Sequence, residues 1–351
     1  MSWEDNIRKV VPYVPGEQPK DRNIIKLNTN ESPYPPSPLV EEAVRGVDTD
    51  LLRKYPDTQA TELVREMAEA YGVDESEIFV GIGSDDVLAL SFLTYFNSDK
   101  PVIFPDITYS FYDVWADLYR IPYETKALDE DFNIVTEDYL CDNGGVIIAN
   151  PNAPTGASMN MEEIEKIIEF NRDRVVIVDE AYVDFGTESA VKLIHKYDNL
   201  VVVQTFSKSR ALAGIRIGMA FGCSKIIGYL KDVKFSFNSY TLNPYTIAIG
   251  AAALKDKEYF ESITAKTVAT REWVKKELKA LGFEFADSKT NFIFARHNTK
   301  KACDIFEALK AEGIYVRYFK KPRIDNYLRI SMGTDEQMER MLTFLKGYLN
   351  G

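Results

Sequence analysis

From about residue 38 to residue 250, short apolar runs alternate with segments of helical periodicity, and few folds accommodate that alternation. Apolar runs fall at 78–80, 101–104, 145–149, 174–178 and 200–203, while apolar residues recur at helical spacing over 58–71, 84–96 and 161–171. Strands that are apolar throughout are buried on both faces, and strands separated by helices pair in parallel. The pattern therefore predicts an α/β fold with a mostly parallel sheet covered by helices. Asp57 or Thr58 and Asn160 are the expected N-caps. Beyond residue 244 the texture changes. Helical spacing over 245–280, with a break near Lys255-Asp256, leads into strand-like 291–295, 314–317 and 327–331 and helices at 300–311 and 335–349, a smaller α+β unit. With 351 residues, 45% of them hydrophobic, the chain can bury two cores around one site. The expected division is an N-terminal arm at 1–38, a large domain at 39–250 and a small domain at 251–351.

Bulk charge narrows the function classes. A formal net charge of −12 with scattered basic residues argues against nucleic-acid or anionic-membrane surfaces, which need clustered positive charge. Cys141, Cys223 and Cys303 are odd in number and far apart, and His195 and His297 are the only histidines, so no metal site is expected. The segment MSWEDNIRKV lacks the apolar centre of a signal peptide, which points to a cytoplasmic protein. The arm carries Pro12, Pro15, Pro19, Pro33, Pro35, Pro36 and Pro38, so little regular structure is expected there. Its tyrosine-bearing turns around Tyr13 and Asn30-Glu31 could cap the core or touch a ligand.

In an open α/β sheet, ligands collect beyond the carboxyl ends of the strands, so the residues that follow each apolar run form a set. Gly81-Ile82-Gly83-Ser84-Asp85 opens a helix, whose free N–H groups and dipole suit a phosphate, although glycine is common in such turns. Tyr109 offers a flat face for a heteroaromatic ring, or is simply a core tyrosine. Asn150-Pro151-Asn152-Ala153-Pro154-Thr155-Gly156 is a rigid turn lined with amides. Asp179-Glu180-Ala181-Tyr182 puts a carboxylate at the end of an apolar strand, which is costly unless a cation lies opposite or the group merely caps the next loop. After Leu200–Val203 comes a loop in which Lys208 stands among Thr205, Ser207 and Arg216. A lone lysine in a loop is usually solvated. Beside hydroxyls and a guanidinium suited to a dianion, its amine becomes a candidate for Schiff-base chemistry.

An aldehyde, a phosphate, a flat ring, a basic ring nitrogen and a ring oxygen are what these segments together request, and pyridoxal 5′-phosphate carries all five. With this ordered series, and with Arg329 in Leu328-Arg329-Ile330-Ser331, the chain resembles over nearly its whole length the fold-type-I aminotransferases of the aspartate aminotransferase superfamily, and among them the histidinol-phosphate aminotransferases. The resemblance implies a seven-stranded type of sheet sandwiched by helices. It implies Lys208 as the Schiff-base lysine and proton carrier, Asp179 at the ring nitrogen, Tyr182 at the ring oxygen and Tyr109 stacked on the ring. Gly83, Ser84, Asp85, Thr205, Ser207 and Arg216 would bind the phosphate, joined by Tyr55 from a neighbouring subunit, so a homodimer with shared sites is implied, its arm packed on the partner and on the small domain. Most relatives carry Asn where this chain has Ala153, which leaves Asn152 as the substitute support for the ring oxygen.

For substrate, Arg329 and Arg317 resemble a pair that takes a phosphate or a carboxylate, with Tyr13, Asn30 and Glu31 beside them. The implied reaction is transamination between L-histidinol phosphate and 2-oxoglutarate, giving imidazole-acetol phosphate and glutamate. An aromatic or broad-specificity aminotransferase and a phosphothreonine decarboxylase are the alternatives on the same residues. A ligand-sensing receptor without catalysis is disfavoured by the absence of a basic DNA-binding segment.

Overall fold

A computed structural model describes residues 2–14, 16–19 and 24–350, with only the backbone at residue 350; Pro15, one of the expected breakers, lies outside the described residues. The strands are β1 (Ile25–Leu27), β2 (Ile78–Gly81), β3 (Val102–Pro105), β4 (Tyr123–Lys126), β5 (Gly145–Ala149), β6 (Val176–Asp179), β7 (Leu200–Thr205), β8 (Gly218–Phe221), β9 (Phe283–Phe285), β10 (Phe292–His297), β11 (Ile314–Tyr318) and β12 (Leu328–Ser331).

Seven of them form one sheet in the order β2-β8-β7-β6-β5-β3-β4, parallel except for β8, which runs antiparallel to β2 and β7. Every residue of β5, β6 and β7 is buried. Alternate side chains feed two separate cores, as strand geometry requires. Val146, Ile148, Val176, Val178, Leu200 and Val202 pack toward the helices Thr61–Tyr71, Met161–Phe170 and Pro244–Lys255. Ile147, Ile177, Val201 and Val203 pack toward Ser84–Tyr95, Tyr112–Tyr119 and Ser224–Phe237. Burying such side chains contributes about 1.5–3 kcal/mol each, and with apolar layers on both faces the strand interiors tolerate no charge. In β5, β6 and β7 charge is thereby kept to the end, where β6 finishes on Asp179, while β7 finishes on the neutral hydroxyl of Thr205.

The remaining strands form a second sheet, β1-β11-β12-β10-β9, with β1 parallel to β11 and the other pairs antiparallel. Its core includes Val274, Leu278, Ile305, Leu309, Met338 and Leu342 from the three C-terminal helices. The proline-rich arm thus holds one ordered strand, contrary to the expectation of little regular structure, because Ile25-Lys26-Leu27 presents two apolar residues to this core. The helical break falls where expected: Asp256 caps the helix Lys257–Ala280 by accepting from the Tyr259 N–H at 3.2 Å, and Ser37 Oγ donates to its other oxygen at 2.6 Å. Asn160 makes the expected capping box with Glu163. Asp57 and Thr58 are not N-caps. The helix begins at Thr61 behind Ala60, and Asp57 reaches forward to accept from the Thr61 N–H at 2.8 Å. No helix among the described residues is long and apolar enough to cross a membrane.

Candidate active site

The carboxyl ends of β5, β6 and β7 surround a cavity of about 180 Å³, lined by Asp179, Lys208, Tyr182, Tyr109, Arg216 and their neighbours. Asp179 forms its floor. Oδ2 accepts from the Tyr112 hydroxyl at 2.7 Å and Oδ1 from the Ala181 N–H at 3.2 Å, and no cationic side chain pairs with it among the described residues. Burial pushes the carboxyl up to about 6 despite those two hydrogen bonds. Tyr112, fully buried at the start of its helix, went unrecognised in the sequence; its place three residues after Tyr109 was the available signal.

Lys208 occupies the tight turn after β7. Its Nζ donates to the Thr29 carbonyl at 3.3 Å and stands 5.8 Å from the centre of the Tyr182 ring, with no carboxylate in ion-pair reach among the described residues. An unpaired, half-buried amine facing a cavity is available as a nucleophile or a base.

Along one wall the helix Ser84–Tyr95 starts behind Gly83, which has no side chain to cap it, so its first N–H groups are free. Two glycines let this helix end approach the lysine loop. A methyl at Gly83 (φ +83) would meet Arg216 Nη2 at 2.3 Å, and one at Gly218 would meet the Gly83 carbonyl carbon at 2.2 Å. Arg216, itself at φ 61, donates to Ser207 Oγ at 3.4 Å and lies 3.6 Å from Asp85. Thr205 Oγ1 donates to Ser207 Oγ at 3.0 Å. Free helix amides, two hydroxyls and a guanidinium in one corner make an anion cradle. The Tyr109 hydroxyl donates to Asp85 at 2.6 Å, which steadies the ring on the cavity wall.

A second cavity of about 350 Å³ adjoins the first, shares Lys208, Tyr182, Tyr109 and Ala153 with it, and is lined by Tyr13, Arg317, Phe319 and Arg329. Arg317 and Arg329 are register partners on β11 and β12. Like charges directly opposite on adjacent strands destabilise a sheet, and no carboxylate neutralises either among the described residues. Arg329 donates Nη2 to the Asn28 carbonyl at 3.0 Å, whereas its Nε is buried without a partner. Burial and the neighbouring Arg317 lower its proton affinity. Tyr13 stacks on Phe111 with ring centres 4.2 Å apart.

Two expected site residues, Asn152 and Glu31, sit away from the cavity expected for them. Asn152 turns away from the first cavity: its amide donates to the Ile107 carbonyl at 2.9 Å and Thr155 Oγ1 at 3.0 Å, and its oxygen accepts from Thr108 at 2.8 Å, so nothing remains to support a ligand. Ala153 lines the cavity in its stead. Asn30 lines the second cavity as expected, with its side chain buried, donating to the Tyr182 hydroxyl at 2.8 Å and accepting from Ser331 Oγ at 2.7 Å. Tyr55, expected to serve a neighbouring subunit, is 81% exposed, packs at a tilt on Tyr240 and does not line either cavity of its own chain. Glu31 lines the first cavity and not the second, with its oxygens held by Lys26 at 2.6 and 2.7 Å and by Thr29 at 2.9 Å.

The model of the family "Aminotransferase class I and II" matches residues 22–345. A Clostridium beijerinckii protein named histidinol-phosphate aminotransferase is 53% identical over 348 residues, which is 99% of this chain and 97% of that protein. A Lactococcus lactis protein of the same name is 49% identical over 349 residues, 99% of this chain and 97% of its own. Among solved structures, histidinol-phosphate aminotransferase from Sinorhizobium meliloti in complex with pyridoxal-5′-phosphate superposes with a TM-score of 0.85 at 23% identity, over 94% of this chain and 92% of that one. By the extent of the family match and the identity to full-length relatives, this chain belongs to the class I and II aminotransferases.

Proposed function

We propose that the chain binds pyridoxal 5′-phosphate in the inner cavity and exchanges an amino group between L-histidinol phosphate and 2-oxoglutarate, giving imidazole-acetol phosphate and glutamate. The observation that carries the substrate reading is the cross-strand pair Arg317–Arg329, two unneutralised guanidiniums facing a cavity that opens beside Lys208. An anion between its members relieves the repulsion of such a pair, which suits a phosphate or the side-chain carboxylate of glutamate by turns. The names of the relatives point to the same substrate.

The inner cavity fits the cofactor. The anion cradle of Ser84, Thr205, Ser207 and Arg216 suits its phosphate, and Asp179, buried and unpaired with any cationic side chain among the described residues, suits a protonated ring nitrogen. Bound there, pyridoxal phosphate supplies an aldehyde for the amine and a ring that takes up the electron pair left when the Cα proton departs. Lys208 Nζ anchors the cofactor and carries the Cα proton, since among the cavity-lining side chains it is the one free amine. Asp179 would accept the hydrogen bond of a protonated ring nitrogen, Tyr182 would donate to the ring oxygen, and Tyr109 would cover the ring face.

We place the reaction in a cytoplasmic homodimer organised as arm (1–38), large domain (39–250) and small domain (251–351). Leu52, Tyr55, Phe237 and Tyr240 are each at least half exposed, and apolar surface of this kind is suited to burial against a second copy. Tyr55 then reaches the phosphate of the partner's cofactor.

Two measurements test the reading. Borohydride reduction of the loaded protein followed by peptide mapping should leave the pyridoxyl label on Lys208. Half-reactions followed by cofactor absorbance should run fastest with histidinol phosphate among a panel that includes phenylalanine, tyrosine and O-phosphothreonine; a faster donor in that panel would overturn the substrate assignment.

A further inference from the structure

Tyr182 is placed to donate to a ligand in the inner cavity, yet a phenol hydroxyl can equally turn its proton away and accept. What fixes its direction is a buried chain of hydrogen bonds from distant parts of the sequence. Asn30 Nδ2 donates to the Tyr182 oxygen at 2.8 Å, so that lone pair is occupied and the hydroxyl proton is left to point elsewhere. Asn30 cannot rotate to present its oxygen instead, because Ser331 Oγ donates to Asn30 Oδ1 at 2.7 Å. The Asn30 backbone N–H in turn donates to Ser331 Oγ at 3.0 Å, and Asn291 Nδ2 donates to the Asn30 carbonyl at 3.0 Å. Asn30, Ser331 and Asn291 are each no more than 2% exposed, so water does not compete for these bonds. Asn30 stands at φ 55, the left-handed region that asparagine tolerates better than most residues. The charged groups facing Tyr182 are Lys208, 5.8 Å from its ring centre, and Arg329, which lies over the Phe292 ring that packs edge-on against Tyr182.

We infer that Asn30, locked by Ser331, is a positioning residue that sets the polarity of the Tyr182 hydroxyl so that it donates into the cavity. Ala153, where a side-chain amide would face the cavity directly, offers only a methyl, and the amide of Asn30 acts instead through Tyr182. A donated hydrogen bond also makes the phenol a stronger donor in its turn. The inference rests on the reading of the inner cavity as the pyridoxal phosphate site. A phenol that donates to the anionic ring oxygen favours the deprotonated form of the bound cofactor, so losing that donation moves the pH midpoint of the cofactor's visible absorbance upward.

The test uses the full-length protein loaded with pyridoxal phosphate and reads that midpoint, together with the cofactor dissociation constant, rather than turnover. Asn30→Gly keeps the left-handed backbone and removes the amide. It should raise the midpoint by about 0.5 to 1 pH unit, the size expected for one weakened hydrogen bond. Ser331→Ala, which leaves residue 30 intact but unlocks it, should shift the midpoint in the same direction by less, and serves if the glycine variant does not fold. In a Tyr182→Phe background both shifts should vanish, because the effect passes through the phenol. Unmoved midpoints in the single variants, or shifts of equal size with and without the Tyr182 hydroxyl, would overturn the inference and leave Asn30 as a tether of the arm. Failure of the unaltered chain to take up pyridoxal phosphate would instead refute the cavity reading, and this inference with it.

Discussion

Replacing Asp179 by Asn should stabilise the cofactor-free protein while crippling the loaded one. In the folded chain the Asp179 carboxyl is raised to about 6 because its burial outweighs its two hydrogen bonds and the field of Lys208, against an ordinary value of 3.8. A shift of about two pH units corresponds to about 3 kcal/mol that the ionised group takes from folding at neutral pH. The amide carries no charge but bonds less well to the Ala181 N–H, which returns about 1 kcal/mol. The net gain is about 2 kcal/mol, or about 3 °C in melting temperature from the usual unfolding entropy per residue. Because the folded-state value is raised, the penalty is absent below about pH 4, grows as pH rises toward 6 and is constant above. Thermal melts of both cofactor-free proteins from pH 4 to pH 8 should therefore show the Asn variant pulling ahead only above about pH 5. With pyridoxal phosphate added the order should reverse, since a protonated ring nitrogen needs the charge. An Asn variant that melts below the parent at pH 8 without cofactor, or a difference that is flat across the range, would refute the argument.

Three further outcomes follow from the same geometry. Lys208→Ala should keep the fold and bind the cofactor without a covalent link, but lose at least about a thousandfold in turnover, since general base and covalent anchor are removed together; steady-state rates and absorbance decide it. Arg317→Gln removes one of two opposed like charges, so the substrate-free protein should gain about 0.5 kcal/mol in denaturant melts, while KM for histidinol phosphate rises at least about tenfold. Gly83→Ala puts a methyl 2.3 Å from Arg216 Nη2 at a positive φ, and should cost about 1–2 kcal/mol of stability and a larger share of cofactor affinity, measurable by equilibrium dialysis.

What was legible in the sequence was set by strand interiors. The runs that became β5, β6 and β7 are apolar on both faces, so their ends announced Asp179 and Thr205 as the places where polar chemistry resumes. β4 gave no such signal, because Tyr123-Glu124-Thr125-Lys126 is a mostly exposed edge with no apolar run. β8 was hidden behind the lysine loop. Its first residue is Gly218, chosen for close approach to the helix start rather than for strand propensity. Asn152 was the natural substitute for the missing amide by proximity in sequence, yet it is turned onto Thr155 in its own turn and onto Ile107 and Thr108 from the loop after β3. The residue that does touch Tyr182, Asn30, lies on the far side of the chain's sequence, and only tertiary structure brings the two together. Arg317 and Arg329 were expected to act as a pair; that they oppose each other directly across two strands is a property of register, which their spacing along the chain does not reveal.

The pairing of Ile25–Leu27 with Ile314–Val316 also bears on how the molecule is made. A ribosome releases the first of these strands early and its partner almost last, so the two apolar side chains of β1 must wait through nearly the whole of synthesis without their sheet. The large sheet, whose strands lie in the first two thirds of the chain, is complete well before that. Closing the small sheet over the waiting segment is then the late event of maturation, and it is the same event that carries Ser331 to Asn30.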